Sequence, residues 1–312
     1  ANVHLQGQLV GVKKLILGYA THMHFYNTSG TGLNQPMHYQ FEVLNVQDGG
    51  NLYMSGSGIR IEASEHFVVG GIEGSLMSKV VLQKGSAAFV CGNITVGKSG
   101  VINATGAGYT MDEQGPGFIG TFTRYNDAGE SPTVMHYGHG GSHGGRGGYA
   151  GYTQYPPHKE LLREHRTIDI TGYDDTLHPR MMGSAGTKGQ GVDGGSGGGA
   201  LQLHATDAIV LDGTIESNGE WGSLRTDHRY YSGGGGAGGA IDMTSRTFSG
   251  SGLAKVNGGH GGGHYGAWKT YVNYAAGGGG GRIAVHCTSS HSFSGRFEAY
   301  GGEGGQMVNG IP

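Results

Sequence analysis

The sequence predicts an all-β protein, a parallel β-helix (solenoid) with glycine-rich turns and long loops, plus a strand-rich N-terminal segment. Glycine accounts for 68 of the 312 residues, far more than in an ordinary soluble domain. Between the glycine tracts, apolar and polar residues alternate over short segments, as in β-strands with one buried face. Similar units begin at Gly199, Gly239 and Gly281, and internal repetition of this kind is typical of repeat architectures.

Each repeated unit predicts two strands joined by a short turn. The inward-facing candidates of the first strand are Leu201 and Leu203, Ile241 and Met243, and Ile283 and Val285. Those of the second strand are Ile215, Ala254 and Phe297. Polar residues occupy most of the alternate positions, so we expect the other side of each strand to face water.

A fourth, less regular unit spans residues 88–108, with Ile94, Val96 and Val101 at strand positions. A propeller blade needs four strands, whereas each unit here has two, and a solenoid buries the apolar face of each repeat against its neighbours. We expect the glycine tracts to adopt positive φ and to let the backbone approach neighbouring backbone where a Cβ atom would clash. The alternative interpretation is that the tracts are flexible loops.

Two regions are expected along the chain. Residues 55–312 form the glycine-rich β-helix, with a long loop insertion at about 109–198. Residues 1–54 form a strand-rich segment that either caps its own solenoid or adds a strand to a neighbouring subunit. The apolar residues that would carry the intersubunit contact are Val3, Leu5, Leu9, Leu15, Leu17 and Phe25.

Charge and hydropathy argue against two classes of partner. The net charge is −3 with histidine neutral and only 14% of residues are charged, so no basic surface for nucleic acid is expected. The most apolar stretch near the start, LVGVKKLILG at residues 9–18, contains two lysines, and no segment predicts a membrane span. Glycine-rich motifs do not stand between a strand and a helix, so we expect no dinucleotide cofactor.

Three Asn-X-Ser/Thr sequons, at Asn27, Asn93 and Asn103, predict covalent N-glycans. They favour a secreted protein that is extracellular or part of a cell-surface appendage. The two cysteines, Cys91 and Cys287, either form one disulfide or remain buried thiols. Two cysteines are too few for a disulfide scaffold.

The densest group of polar side chains is MHYGHGGSHGG at residues 135–145, which contains His136, His139 and His143. Three imidazoles at these spacings could coordinate Zn²⁺ or copper, with a carboxylate or water completing the site. The chain has 17 histidines in all, and exposed or stacked histidine is the simpler interpretation of this group.

A polysaccharide-cleaving enzyme must also be considered. Asp174, Asp175 and the Gly-His-Gly around His139 superficially resemble elements of polygalacturonase-type hydrolases. Their order along the chain is reversed, and the Arg-X-Lys element of that family is missing. Adjacent carboxylates on a strand also point to opposite faces, which defeats paired acid and base catalysis. We therefore expect no enzymatic activity and no catalytic residues.

The ordered series SHGGRGG (142–148), YDDTLHPRMMGSAG (173–186), GGSGGGALQL, GGGGAGGAIDM and GGGGGRIAV resembles glycine-rich β-helical segments of large secreted structural or surface proteins of protists and some bacteria. The resemblance covers about residues 55–305 and implies no enzymatic activity. The favoured function is an extracellular structural protein, a repeating subunit of a filament, appendage or surface coat assembled head-to-tail from copies of itself. The alternatives are a carbohydrate-binding adhesin and, third, a polysaccharide lyase or hydrolase.

Overall fold

A computed structural model describes most of the chain. The described residues are 2–6, 9, 11–26, 37–71, 75–118, 122–125, 132–135, 138–148, 150–152, 172–189, 192–223, 232–263 and 273–305. Within these ranges the protein consists of β-strands and irregular segments and contains no helix. The prediction of an all-β protein is therefore confirmed.

The strands range from two residues to the 19 residues of the two longest. They are β1 (Asn2–Gln6), β2 (Lys14–Leu17), β3 (His22–Tyr26), β4 (His38–Val46), β5 (Asn51–Val69), β6 (Ser78–Val96), β7 (Gly100–Asn103), β8 (Phe122–Tyr125), β9 (Pro132–Met135), β10 (Gly151–Tyr152), β11 (Ala200–Leu211), β12 (Thr214–Glu216), β13 (Ala240–Gly250), β14 (Leu253–Lys255), β15 (Asn273–Tyr274), β16 (Arg282–Phe293) and β17 (Arg296–Glu298).

One 13-stranded sheet contains most of these strands, and every pairing within it is parallel. The strands β8 and β9, and likewise β10 and β15, form two small antiparallel pairs. The large sheet is not closed. Among the described strands, β1 and β2 at one end and β16 and β17 at the other each have a single partner.

The parallel pairs of the large sheet fall into three ladders of short segments in register. Ladder A consists of residues 38–41, 60–63, 88–91, 202–205, 242–245 and 284–287. Ladder B consists of residues 14–17, 43–46, 66–69, 93–96, 208–211, 247–250 and 290–293. Ladder C consists of residues 2–6, 22–26, 51–55, 79–82, 101–103, 214–216, 253–255 and 296–298. From residue 38 onward the chain passes through A, B and C in turn and then returns to A.

The register predicted for the three regular repeats is confirmed. Leu201 pairs with Ile241, which pairs with Ile283, and Ile215 pairs with Ala254, which pairs with Phe297. In the less regular unit, Ile94, Val96 and Val101 all lie on strands as predicted, and Ile102, next to Val101, is the residue that pairs with Ile215. Val101 and Ile102 are both β-branched, and only the packing decides that Ile102 faces the core.

A single apolar cluster joins the inward faces of the three ladders. Ile61 of ladder A, Phe67 of ladder B and Leu52 of ladder C are fully buried members of this cluster. The rings of Phe67 and Phe89 stack with their centroids 4.7 Å apart, so ladders A and B also contact each other through their side chains. The sheet therefore bends around one common core.

Glycine tracts follow the last three segments of ladder C. The described tracts in this part of the chain are 217–223, 232–239, 256–263, 275–281 and 299–305. Their N–H groups donate to neighbouring tracts with a period of three: one series joins Gly233, Gly236 and Gly239 to Ser223, Glu220 and Ser217. A second series joins Gly235 and Gly238 to Ala276 and Gly279. Three residues per turn is the repeat of the polyproline II helix, so each tract can bond several neighbours laterally.

The predicted close approach of backbones is confirmed. A Cβ atom added to Gly278 would lie 2.0 Å from the carbonyl oxygen of Gly236, and one added to Gly302 would lie 2.0 Å from that of Gly259. The prediction of positive φ is wrong for the five tracts, because the described positive-φ glycines lie elsewhere. The extended backbone already provides the lateral bonds, so the tracts require glycine for its missing Cβ. Most described residues of the tracts are buried, unlike a flexible loop.

Candidate metal centre

Residues 172–182, here called the covering segment, lie over the outer side of ladder A where β13 pairs with β16. Nε of Arg282 donates a hydrogen bond to the carbonyl oxygen of Tyr173 at 2.9 Å. Nε2 of His286 donates to the carbonyl oxygen of Leu177 at 2.6 Å. Within the segment, the Tyr173 hydroxyl donates to the Met182 carbonyl oxygen at 2.5 Å, and burial raises the pKa of Tyr173. The segment is thus attached to two neighbouring strands.

Asp174 stabilises the turn that the covering segment forms. Its carboxylate accepts hydrogen bonds from the backbone N–H groups of Asp175, Arg180 and Met181 at 2.8–3.1 Å, while its own φ is +77°. Burial by itself would raise the pKa of Asp174, but the hydrogen bonds from His143 and from these backbone groups outweigh it and lower the pKa. The ionised carboxylate therefore stabilises this turn.

His143 joins Asp174 to the glycine tracts. The ring is fully buried, with Nδ1 2.8 Å from the carbonyl oxygen of Gly238 and Nε2 3.1 Å from Oδ2 of Asp174. Both ring nitrogens therefore lie within hydrogen-bond distance of protein oxygen atoms. These contacts engage the ring in packing, so His143 is a poor candidate for a metal ligand.

A second cluster lies beneath the other end of the covering segment and contains His178, Asp242 and His286. The potential ligand atoms of these side chains all lie within 4.8 Å of one another. Nδ1 of His178 is 3.5 Å from Oδ2 of Asp242, and Nε2 of His286 is 3.9 Å from Oδ1. The two imidazole rings stack with their centroids 4.4 Å apart. Among the described residues, this is the group with the donors and spacing of a metal site.

Strand pairing and the covering segment together form this cluster. Asp242 points outward from β13, because its neighbours Ile241 and Met243 belong to the core. His286 lies on β16 opposite Thr244, two residues along from Asp242, so both outward side chains share one side of the sheet. His178 comes from the covering segment and lies 3.5 Å from Asp242, whose side chain is fully buried. The cluster therefore combines side chains of two neighbouring strands with one side chain of the covering segment.

The carboxylate of Asp242 has unusual surroundings. Its side chain is 0% exposed, and within the described part of the chain neither oxygen accepts a hydrogen bond. The side chain of His178 is 49% exposed, so the cluster is open to solvent on that side. Two imidazoles and one carboxylate are donors suited to Zn²⁺, copper or iron, and an open side leaves room for water as a further ligand.

The histidine group predicted from the sequence is placed differently. His136 lies outside the described residues, and His143 is engaged by Asp174 and Gly238. His139 is buried, and its Nδ1 accepts a hydrogen bond from the N–H of Ala150 at 2.9 Å. His139 and His143 therefore stabilise packing between backbone segments.

The cysteines are both free thiols. Cys91 is buried in β6, while Cys287 is half-buried in β16. They occupy equivalent positions of ladder A, in strands separated by β11 and β13. Three strand spacings amount to about 14 Å, whereas a disulfide needs Cα atoms within about 7 Å. Burial raises the pKa of the Cys91 thiol to about 12.

Two of the three sequons lie on described strands. Asn93 is half-buried in β6 and Asn103 in β7, while Asn27 lies outside the described residues. Nδ2 of Asn103 donates to Oε1 of Glu216 at 2.9 Å, and its Oδ1 accepts from the N–H of Thr105. A glycan attached to Nδ2 of Asn103 must therefore displace the bond to Glu216.

The residues expected to form an intersubunit contact belong mostly to the chain's own sheet. Leu17 and Phe25 are buried in the core, and Leu9 and Leu15 pack against it. Val3 remains 43% exposed. The remaining member, Leu5, pairs with Phe25 in the register of β1 and β3. The four packed residues, Leu9, Leu15, Leu17 and Phe25, therefore stabilise the protomer itself.

The carboxylates considered for catalysis accept hydrogen bonds from backbone N–H groups. Asp174 is occupied as described above, and Oδ1 of Asp175 accepts hydrogen bonds from the N–H groups of Leu177 and His178 at 2.7 and 3.3 Å. These hydrogen bonds show that Asp174 and Asp175 both stabilise one turn of the backbone.

Comparison of the chain with protein-family models, curated proteins and solved structures finds no match. A membrane-spanning helix is absent from the described residues.

Proposed function

We propose that the chain winds as a parallel β-helix, each turn of which contributes one segment to each of the three ladders. The repeated order A, B, C and the buried faces that meet in one core support this proposal. The lateral glycine tracts form a second layer that continues from turn to turn. Such a rod gains its stiffness from contacts between neighbouring turns.

We propose further that the protein is an extracellular structural subunit that assembles head-to-tail into a filament, appendage or surface coat. The observation that carries this proposal is the edge of β16 and β17, where ladders A, B and C all end together and no further described strand pairs. A strand edge with unpaired N–H and C=O groups is a template for pairing with another chain. Because all ladders are parallel, another turn can be added there with the same geometry.

Apolar exposure at both ends of the sheet supports pairing between copies. Phe297 on β17 is 43% exposed and Tyr300 directly after it is 65% exposed. At the opposite end, Val3 on β1 is 43% exposed and Ile16 on β2 is 56% exposed. A contact between the two kinds of end would be heterologous, and heterologous contacts that do not close into a ring produce filaments.

A proline on the outer edge of β16 tests this proposal. The N–H of Ser294 donates to Gly250 on β13, so the N–H of His291, an odd number of residues away, faces the unpaired side. His291→Pro removes that donor while leaving the bonds to β13, and His291→Ala is the matched control. We expect sedimentation velocity and negative-stain microscopy to show filaments for wild type and His291→Ala, and monomers for His291→Pro.

Equal assembly of the proline variant, or a wild-type chain that stays monomeric over a wide concentration range, would contradict the proposed contact. Far-UV circular dichroism and thermal melting must show that both variants keep the wild-type fold. Deletion of residues 1–26 is a poor test, because Leu17, Met23 and Phe25 belong to the core. Deletion of β1 alone removes the exposed Val3 and spares these residues.

A further inference from the structure

We propose that His178, Asp242 and His286 form a site for a divalent transition-metal ion, with Zn²⁺ as the ion that this donor set favours. One ligand comes from the covering segment and one from each of the strands β13 and β16. The ion fastens the segment to the sheet. This site is independent of the proposed assembly function.

The buried carboxylate is the main argument. An ionised carboxylate removed from water without hydrogen bonds is so unfavourable that buried charges in proteins are paired or coordinate metal ions. Asp242 is fully buried, and among the described residues neither of its oxygens accepts a hydrogen bond. Two imidazole rings lie within 3.5 and 3.9 Å of it. An ion bound by all three groups supplies the missing partner.

The distances suit one shared ion. Two ligands of a tetrahedral Zn²⁺ lie about 3.3 Å apart, because each is about 2.0 Å from the metal. The two distances from Asp242 to the histidines, 3.5 and 3.9 Å, exceed this separation only slightly. Side-chain shifts on the order of 1 Å therefore assemble the three ligands. A copper or ferrous ion fits the same donors, whereas Ca²⁺ and Mg²⁺ prefer oxygen ligands.

The cluster is accessible and already partly oriented. His178 is 49% exposed, which gives the ion and a coordinated water a route from solvent. Nε2 of His286 donates its hydrogen to the Leu177 carbonyl oxygen. If the ion binds through Nε2, this hydrogen is released as a proton, because a metal ligand must be deprotonated. Binding through Nε2 therefore replaces the bond to Leu177, which holds the ring beside Asp242 until the ion enters.

Titration of the chelator-treated full chain with ZnCl₂, followed by isothermal titration calorimetry, tests the site. We expect wild type to bind one equivalent of Zn²⁺ more tightly than its scattered surface histidines do. Asp242→Asn and His178→Gln should each weaken that site by at least about tenfold. His66→Gln changes an exposed histidine on β5 and should leave the site unchanged. Equal binding by wild type, Asp242→Asn and His178→Gln would overturn the proposal.

A proteolysis assay tests the fastening of the covering segment. Arg180 is exposed within the segment, so trypsin can cleave after it. We expect Zn²⁺ to slow this cleavage in wild type and to have no effect on His178→Gln. The side chain of His178 is half exposed, so His178→Gln should fold. This variant therefore tests the site even if Asp242→Asn does not fold. A wild-type cleavage rate that is independent of Zn²⁺ would overturn the fastening role.

Discussion

The substitution Gly278→Ala tests whether the glycine tracts are held by direct contact between backbones. The new Cβ atom would lie 2.0 Å from the carbonyl oxygen of Gly236, where an ordinary contact is 3.4 Å or more. The two tracts must therefore separate by about 1.4 Å if no other atom moves. Gly301→Ala is the matched control, because its Cβ meets nothing closer than the carbonyl oxygen of Gly278 at 3.6 Å.

The expected loss follows from the bonds that such a separation disturbs. The two tracts are joined by the N–H groups of Gly235 and Gly238, which donate to the carbonyl oxygens of Ala276 and Gly279 at 2.9 Å. Overpacking costs about 1–3 kcal/mol, and each buried polar group left without a partner costs about 1–3 kcal/mol. We therefore expect Gly278→Ala to lower the free energy of unfolding by about 4 kcal/mol. Gly301→Ala should change it by less than about 1 kcal/mol.

Urea unfolding followed by far-UV circular dichroism measures both values from the midpoint and slope of the transition. We expect a large difference between the two variants, although each replaces a glycine that lacks a positive φ by the same residue. If both shift the midpoint equally, the stability of the tracts does not depend on close backbone contact. In that case the effect of alanine would reflect only the conformational freedom of the unfolded chain.

Three further predictions concern single side chains. The lowered pKa of Asp174 stabilises the folded state fully above the ordinary value of 3.8, and this stabilisation is lost as the pH falls below it. Below this pH, hydrogen exchange at the amides of Arg180 and Met181, corrected for intrinsic rates, should accelerate in wild type but not in Asp174→Asn. Cys287 should react with a thiol reagent in the folded protein and Cys91 only after unfolding, since burial raises the pKa of Cys91 to about 12; equal rates would contradict this burial. If the sequons are used, mass spectrometry should find lower glycan occupancy at Asn103 than at Asn93, because of the bond from Asn103 to Glu216.

The regular repeats were predictable because a glycine tract precedes each of them. The pairing of Leu201 with Ile241 and Ile283 follows from aligning those tracts. The 19-residue strands β5 and β6 were not predictable in this way, because each passes between ladders without a tract. Register shifts occur where such a strand passes from one ladder to the next, as between Ala63 and His66. A bulge inside a continuous strand has no distinctive composition.

The candidate metal centre could not be predicted from the sequence. Asp242 stands between Ile241 and Met243, a pattern that indicates a strand residue facing water. It is nevertheless fully buried, and His178 of the covering segment lies beside it. The sequence did indicate histidines as metal-ligand candidates, but it selected those that lie close together along the chain. Tertiary contacts bring together His178 and His286, which are far apart in sequence.

The long excursion between β7 and β11 has a consequence for the order of folding. Paired strands before it are close in sequence: Gln40 and Glu62, which are hydrogen-bonded, are 22 positions apart. Across it, Asn103 contacts Glu216 at a separation of 113 residues. Each doubling of loop length adds only about 0.6 kcal/mol to the entropy cost of closure, so the final stability is little affected. Contacts this distant nevertheless form late, and the sheet should grow as two separate pieces whose junction closes last.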